Sequence, residues 1–151
     1  MPKYDLYVVI PFRNEQLAAN ASIDPEPFRK RGWVGMDADY EEARKLLEEL
    51  RKLQVNAYIV ETRYKHPRVP LHEARAIAEK KYNKLVASGR NLEPLEAGYD
   101  DIMWWSFRME DIDAVAKGYI PGVVVISVDK LDGHLRTPEE YKEWVKLSSF
   151  G

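Results

Sequence analysis

Four apolar runs alternate along this chain with segments whose apolar residues recur every three or four positions, and that alternation predicts a βαβαβαβα order. The first strand, about Tyr4 to Phe12, is apolar on both alternating sets: Tyr4, Leu6, Val8 and Ile10 on one, Tyr7 and Val9 on the other. A strand buried on both faces belongs in the middle of a covered, usually parallel, sheet. The helix from about Asp39 to Gln54 is the clearest element, with Tyr40, Ala43, Leu47 and Leu50 on one face. Asp39 followed three residues on by Glu42 suits its start, and the i,i+4 pairs Glu41–Lys45 and Glu48–Lys52 give its charges a structural reason as a solvated face. A strand over Val55–Thr62 follows at once. Pro70 and Gly89 bracket a helix from about Leu71 to Ala87. Then come a strand over Ile102–Phe107, a short helix from about Glu110 to Lys117, a strand over Val123–Val128 and a last helix opened by Thr137-Pro138-Glu139-Glu140.

This order predicts one α/β domain over residues 1–151, three layers deep, around a four-stranded, mostly parallel sheet. The link between the third and fourth strands is short for a parallel crossover, so one of those two strands is open to an antiparallel placement. Residues 13–36 contain Pro25, Pro27, Gly32 and Gly35 and read as a long loop or lid, a kind of connection that often carries binding surface.

Composition narrows the class. Hydrophobic residues make up 45% and charged residues 32% of 151, which is globular and not disordered. No apolar stretch approaches the roughly 20 residues that cross a bilayer, and the start lacks a signal-peptide pattern. Cysteine is absent, which excludes disulfides, thiolate metal sites and cysteine nucleophiles. A cytoplasmic protein is the expectation. A net charge of −2 speaks against a general nucleic-acid binder; the basic run Arg29-Lys30-Arg31 beside Trp33 is the one local exception.

Three apolar runs end in arginine, at Arg13, Arg63 and Arg108. Parallel strands would bring these to one sheet edge, with Asn14 beside the first and Lys65-His66 beside the second, at the edge where open α/β sheets bind ligands. Arginine's planar fork suits carboxylate or phosphate, so these six residues form the expected anion-binding set. The competing reading pairs each arginine with a nearby acid such as Glu15, Glu61, Glu110 or Asp129. The aromatics suggest contact: Trp33, Trp104 and Trp105 are the expected interface residues, since adjacent Trp104 and Trp105 point to opposite faces of one strand.

Other chemistry finds little footing. His66 and His72 do not share a helical i,i+4 face, and His134 sits in a turn beside Asp132, so no zinc site is expected. The paired acids Asp37/Asp39, Asp100/Asp101 and Asp129/Asp132 have no diagnostic spacing for an oxygen-ligand metal. No serine lies in a Gly-x-Ser-x-Gly elbow. No glycine-rich phosphate loop follows the first strand, and no cofactor is expected.

The octet Val8-Val9-Ile10-Pro11-Phe12-Arg13-Asn14-Glu15 resembles the opening strand of family 2 glycosyltransferases, where it lines a nucleotide-sugar site. The likeness covers eight residues of 151. That family's acidic strand end has no counterpart after the second strand, which closes on Glu61-Thr62-Arg63, and Asp37-Ala38-Asp39 comes too early to be its metal-binding triplet. No activity is carried over from it. The expectation is a small binding protein for a partner protein, a second copy of itself or a small anionic ligand. The alternative is an enzyme holding a phosphorylated or carboxylated substrate on Arg13, Arg63 and Arg108, with His66 as acid or base.

Overall fold

The structure is a computed structural model that describes residues 1–19 and 22–150. In chain order its elements are β1 (Tyr4–Ile10), α1 (Glu15–Ala18), β2 (Gly32–Ala38), α2 (Tyr40–Lys52), β3 (Asn56–Glu61), α3 (Leu71–Ala87), β4 (Tyr99–Asp101), β5 (Trp104–Glu110), α4 (Ile112–Ala116), β6 (Val123–Asp129) and α5 (Pro138–Lys146). Short 3₁₀ turns lie at Glu26–Phe28 and Thr62–Lys65. Contacts divide the chain into two compact units, Met1–Lys65 together with Pro138–Gly151, and His66–Thr137. Among the described residues no helix is long and apolar enough to cross a membrane.

The four-stranded, mostly parallel sheet is not formed. Each unit has its own three-stranded antiparallel sheet, β2-β1-β3 in the first and β4-β5-β6 in the second. The expected order lacked two strands. β2, with the sequence Gly-Trp-Val-Gly-Met-Asp-Ala, lies largely inside the stretch read as loop, where two glycines break its hydrophobic alternation. Of residues 13–36, α1, the Glu26–Phe28 turn and most of β2 are described, and residues 20 and 21 lie outside the described set. β4 is three residues long, and Tyr99 is its only apolar member. With β2 restored, α2 is still a crossover helix, but it joins β2 to β3, which flank β1 on either side and run antiparallel to it. The central strand is therefore antiparallel to both neighbours, as in a split βαβ arrangement.

In the first unit α2 starts where the Asp39 side chain accepts from the Glu42 amide at 2.9 Å. Its Ala43, Leu47 and Leu50 pack on Leu6 and Val8 of β1 and Ala57 and Ile59 of β3. The outer edge of β3 is closed by the chain's end: Ile59 N–H donates to Leu147 O (3.0 Å) and Ser149 N–H to Ala57 O (2.8 Å).

In the second unit Ala74 and Ala78 of α3 meet Phe107 and Met109 of β5 and Ile126 and Val128 of β6. The short connection through α4 joins β5 and β6 as antiparallel neighbours, paired from Trp104–Asp129 to Glu110–Val123. Ile102 has φ +62° in the tight β4–β5 link, an unusual conformation for a β-branched residue. Gly98 is required for a different reason: a Cβ there would lie 2.5 Å from the Phe107 ring.

Candidate functional site

The antiparallel sheet separates the arginines that parallel strands would have gathered. β1 ends beside Asn56 and begins beside Glu61, so Arg13, after β1, and Arg63, after β3, leave the first unit's sheet at opposite ends. Arg63 pairs with Glu61 and sits over the Tyr64 ring at 5.5 Å. Asn14 caps α1, its Oδ1 accepting from the Gln16 amide at 3.1 Å. His66 is exposed in the second unit. Arg108 is also exposed there, within β5 and not at its end.

Lys65 does have a built environment, around a residue that the hydrophobic pattern hid. Asp5, 1% exposed, occupies the second face of β1. Its Oδ1 accepts from the amides of Met36 (2.7 Å) and Asp37 (3.0 Å), and Lys65 Nζ lies 2.7 Å from Oδ2. Burial pushes this carboxyl up, but the Asp37 amide, the Lys65 ammonium and the Met36 amide together outweigh it and hold it below its ordinary value. Lys65 Nζ also lies 5.9 Å from the Trp33 ring, which meets Tyr7 edge to face at 5.4 Å. These contacts fasten the irregular part of β2, where Asp37 has φ +48° and the pairing with β1 shifts register. The Asp5 carboxylate is thus taken up by two amides of β2 and by Lys65, which makes the cluster a brace for that strand.

The second unit has a comparable brace. Lys130 is buried, with Nζ on the Asp100 carboxylate and 4.4 Å from the Trp105 ring centre. The Trp105 indole N–H donates to Val69 O at 2.7 Å. Trp104 is buried, with the Arg136 guanidinium 5.6 Å from its ring.

Asp129, Asp132 and His134 bring three ligand atoms together, yet turn geometry accounts for them. Asp129 Oδ1 accepts from the amides of Leu131 (2.7 Å) and Asp132 (3.2 Å), while Asp132 Oδ1 accepts from the His134 amide (2.9 Å) and meets its ring Nδ1. The His134 amide accordingly holds the Asp132 carboxyl below its ordinary value.

An open surface lies along β6. Its second half is covered by the segment after the turn: Asp129 N–H donates to His134 O (2.8 Å), Arg136 N–H to Ser127 O (2.9 Å), and Val128 bridges Leu135. That cover ends at Arg136. Because outward and inward bonding groups alternate along a strand, Val123 and Val125 turn their N–H and C=O to the same outer edge as Ser127 and Asp129. No backbone group of the described residues meets them there. Beside this edge runs a groove of about 180 Å³, with Leu85, Val124 and Leu135 in its wall and the cations Lys81, Arg90 and Arg136 around it. At the start of β6 the chain exposes Tyr119 (65%) and Ile120 (95%).

The other edges are guarded. β3 is closed by Leu147–Ser149, β2 is bent by its register shift and the left-handed Asp37, and β4 is short and carries Asp100 and Asp101. These are the usual protections of an edge strand. The first half of β6 has an apolar sequence and lacks them.

The hydrophobic run Val123–Val128 identified β6 as a strand, but its exposed edge depended on which strands neighbour it, which the sequence did not reveal. No protein-family model, no curated protein and no solved structure matches this chain.

Proposed function

We propose that this chain is a polypeptide-binding module whose second unit takes up an extended segment of a partner protein along Val123–Ile126. The observation that carries this reading is the strand position beside β6, filled by His134–Arg136 over one half and vacant over the other. An incoming segment would continue that position, bonding to the outward groups of Val123 and Val125, the mode known as β-strand addition. Tyr119 and Ile120 lie at the entry end and offer apolar area to the same partner.

A displayed library of random dodecapeptides, selected on the intact chain, tests this. Selected peptides should slow hydrogen exchange at the Val123 and Val125 amides and fail to bind Val125→Pro, which removes the outward N–H. If no peptide is enriched, or if selected peptides bind Val125→Pro as well as the parent, the reading is wrong.

A further inference from the structure

We infer that the segment accepted beside β6 is acidic, carrying carboxylates at alternate positions. This inference rests on the strand-addition reading and specifies the chemistry of its ligand.

The charged residues around the groove are of one sign. Lys81 projects from α3, Arg90 follows that helix, and Arg136 is the last residue of the covering segment; no acid lines the groove. Arg90 is held by Asp111 at 2.8 Å, and Arg136 is 3.6 Å from Asp101. Lys81 makes no ion pair among the described residues. On the opposite face of the sheet the exposed Arg108 lies directly across from Val125. Glu110, likewise exposed and paired with Val123, offsets Arg108 on that face, so the excess of positive charge lies on the groove side. Since successive side chains of a strand point to opposite faces, carboxylates two residues apart would share the groove-facing side, near Lys81, while the residues between them face outward.

The same charges argue against a second copy as occupant. Two β6 edges paired about a two-fold axis would bring Lys81, Arg90 and Arg136 of one copy toward those of the other, and like charges at close range disfavour pairing. An acidic partner gains from the field that a second copy would meet as repulsion.

The test uses two fluorescently labelled heptapeptides, Val-Glu-Val-Glu-Val-Glu-Val and its glutamine counterpart, both blocked at their termini and titrated into the intact chain by anisotropy. The glutamate peptide should bind at least ten-fold more tightly at 50 mM NaCl, with the preference shrinking at 500 mM as exposed charges are screened. Lys81→Glu, a change on an exposed helix position, should weaken the glutamate peptide at least ten-fold. Circular dichroism reports whether that variant keeps its fold, and the salt titration of the parent stands if it does not. Equal binding of the two peptides overturns the acidic preference and leaves strand addition in place. If neither peptide binds the parent, and neither protects Val125 from exchange, both readings fail and the cations serve only to guard the edge.

Discussion

Arg108 and Val125 sit directly opposite each other in β5 and β6, yet the Arg108 carbonyl accepts from the Glu96 amide, 2.8 Å away on the other side of β5. Glu110, two residues on, likewise accepts from Glu93 at 2.9 Å. Both residues bond away from β6, so their partners Val125 and Val123 also bond away from β5. The vacancy beside β6 thus follows from which residues of β5 serve its other neighbour.

Proline at adjacent positions of β6 should give opposite results. Val124 exchanges ladder bonds with Met109 and packs in the second unit's core. Val124→Pro therefore removes a bonded N–H and should cost about 3 kcal/mol, made up of an unsatisfied partner and lost packing. Val125→Pro removes only an edge N–H, a placement sheets tolerate, and should cost about 1 kcal/mol or less. Urea denaturation of the two variants decides it; a larger loss for Val125→Pro would mean that the register of β6 is wrong.

Asp5 makes stability depend on acid in a predictable direction. Its folded carboxyl titrates below the ordinary 3.8, so on acidification the unfolded chain takes up the proton first. The stabilisation is present above that ordinary value and is lost as pH falls through the folded one. Asp5→Asn should cost about 3 kcal/mol at pH 7, the lower end for breaking a buried pair, because Lys65 is 29% exposed and its charge reaches water. The penalty should shrink markedly in urea titrations at pH 3. Equal penalties at both pH values would remove the ion pair from the account.

The Lys130–Asp100 pair should respond unequally to its two deletions. Lys130 is 5% exposed and Asp100 65%. Lys130→Met leaves a carboxylate that water can solvate and a linear apolar chain over Trp105, so the cost should be about 1 kcal/mol, of the order of the lost cation–π contact. Asp100→Ala strands a buried ammonium, and the charged group pays desolvation without its partner. That variant should lose about 3 kcal/mol in thermal unfolding. The reverse order would show that Lys130 is solvated.

Much of the local structure was legible in the chain. The periodic segment Tyr40–Leu50 and the apolar runs at Leu6, Ile59 and Val124 became the helix and strands their spacing implies. The topology was not, because it turned on β2, whose glycines at 32 and 35 interrupt alternation and whose conformation depends on Asp5, some thirty residues earlier in the chain. Local pattern cannot report a strand that a distant carboxylate holds in place. The same miss displaced the site. Arginine at the ends of apolar runs has meaning only if the strands are parallel, whereas the vacant edge of β6 depends on neighbours set by tertiary pairing. Lys65 and Trp33 were named as separate features, and the buried acid beside them was masked by its position between the apolar residues Tyr4 and Leu6.

Arg13 and Arg63 provide the last test, since their separation follows directly from the antiparallel pairing of β1 with β3. A shared phosphate would couple them energetically, and residues in one charge network depart from additivity by about 0.5–3 kcal/mol. At opposite ends of the sheet, with Arg63 engaged by Glu61, their effects should simply add. Arg13→Ala, Arg63→Ala and the double variant should therefore give stability changes that sum to within about 0.5 kcal/mol, with and without 10 mM inorganic phosphate. Coupling that appears only with phosphate would bring both guanidiniums onto one anion and overturn the strand arrangement that keeps them apart.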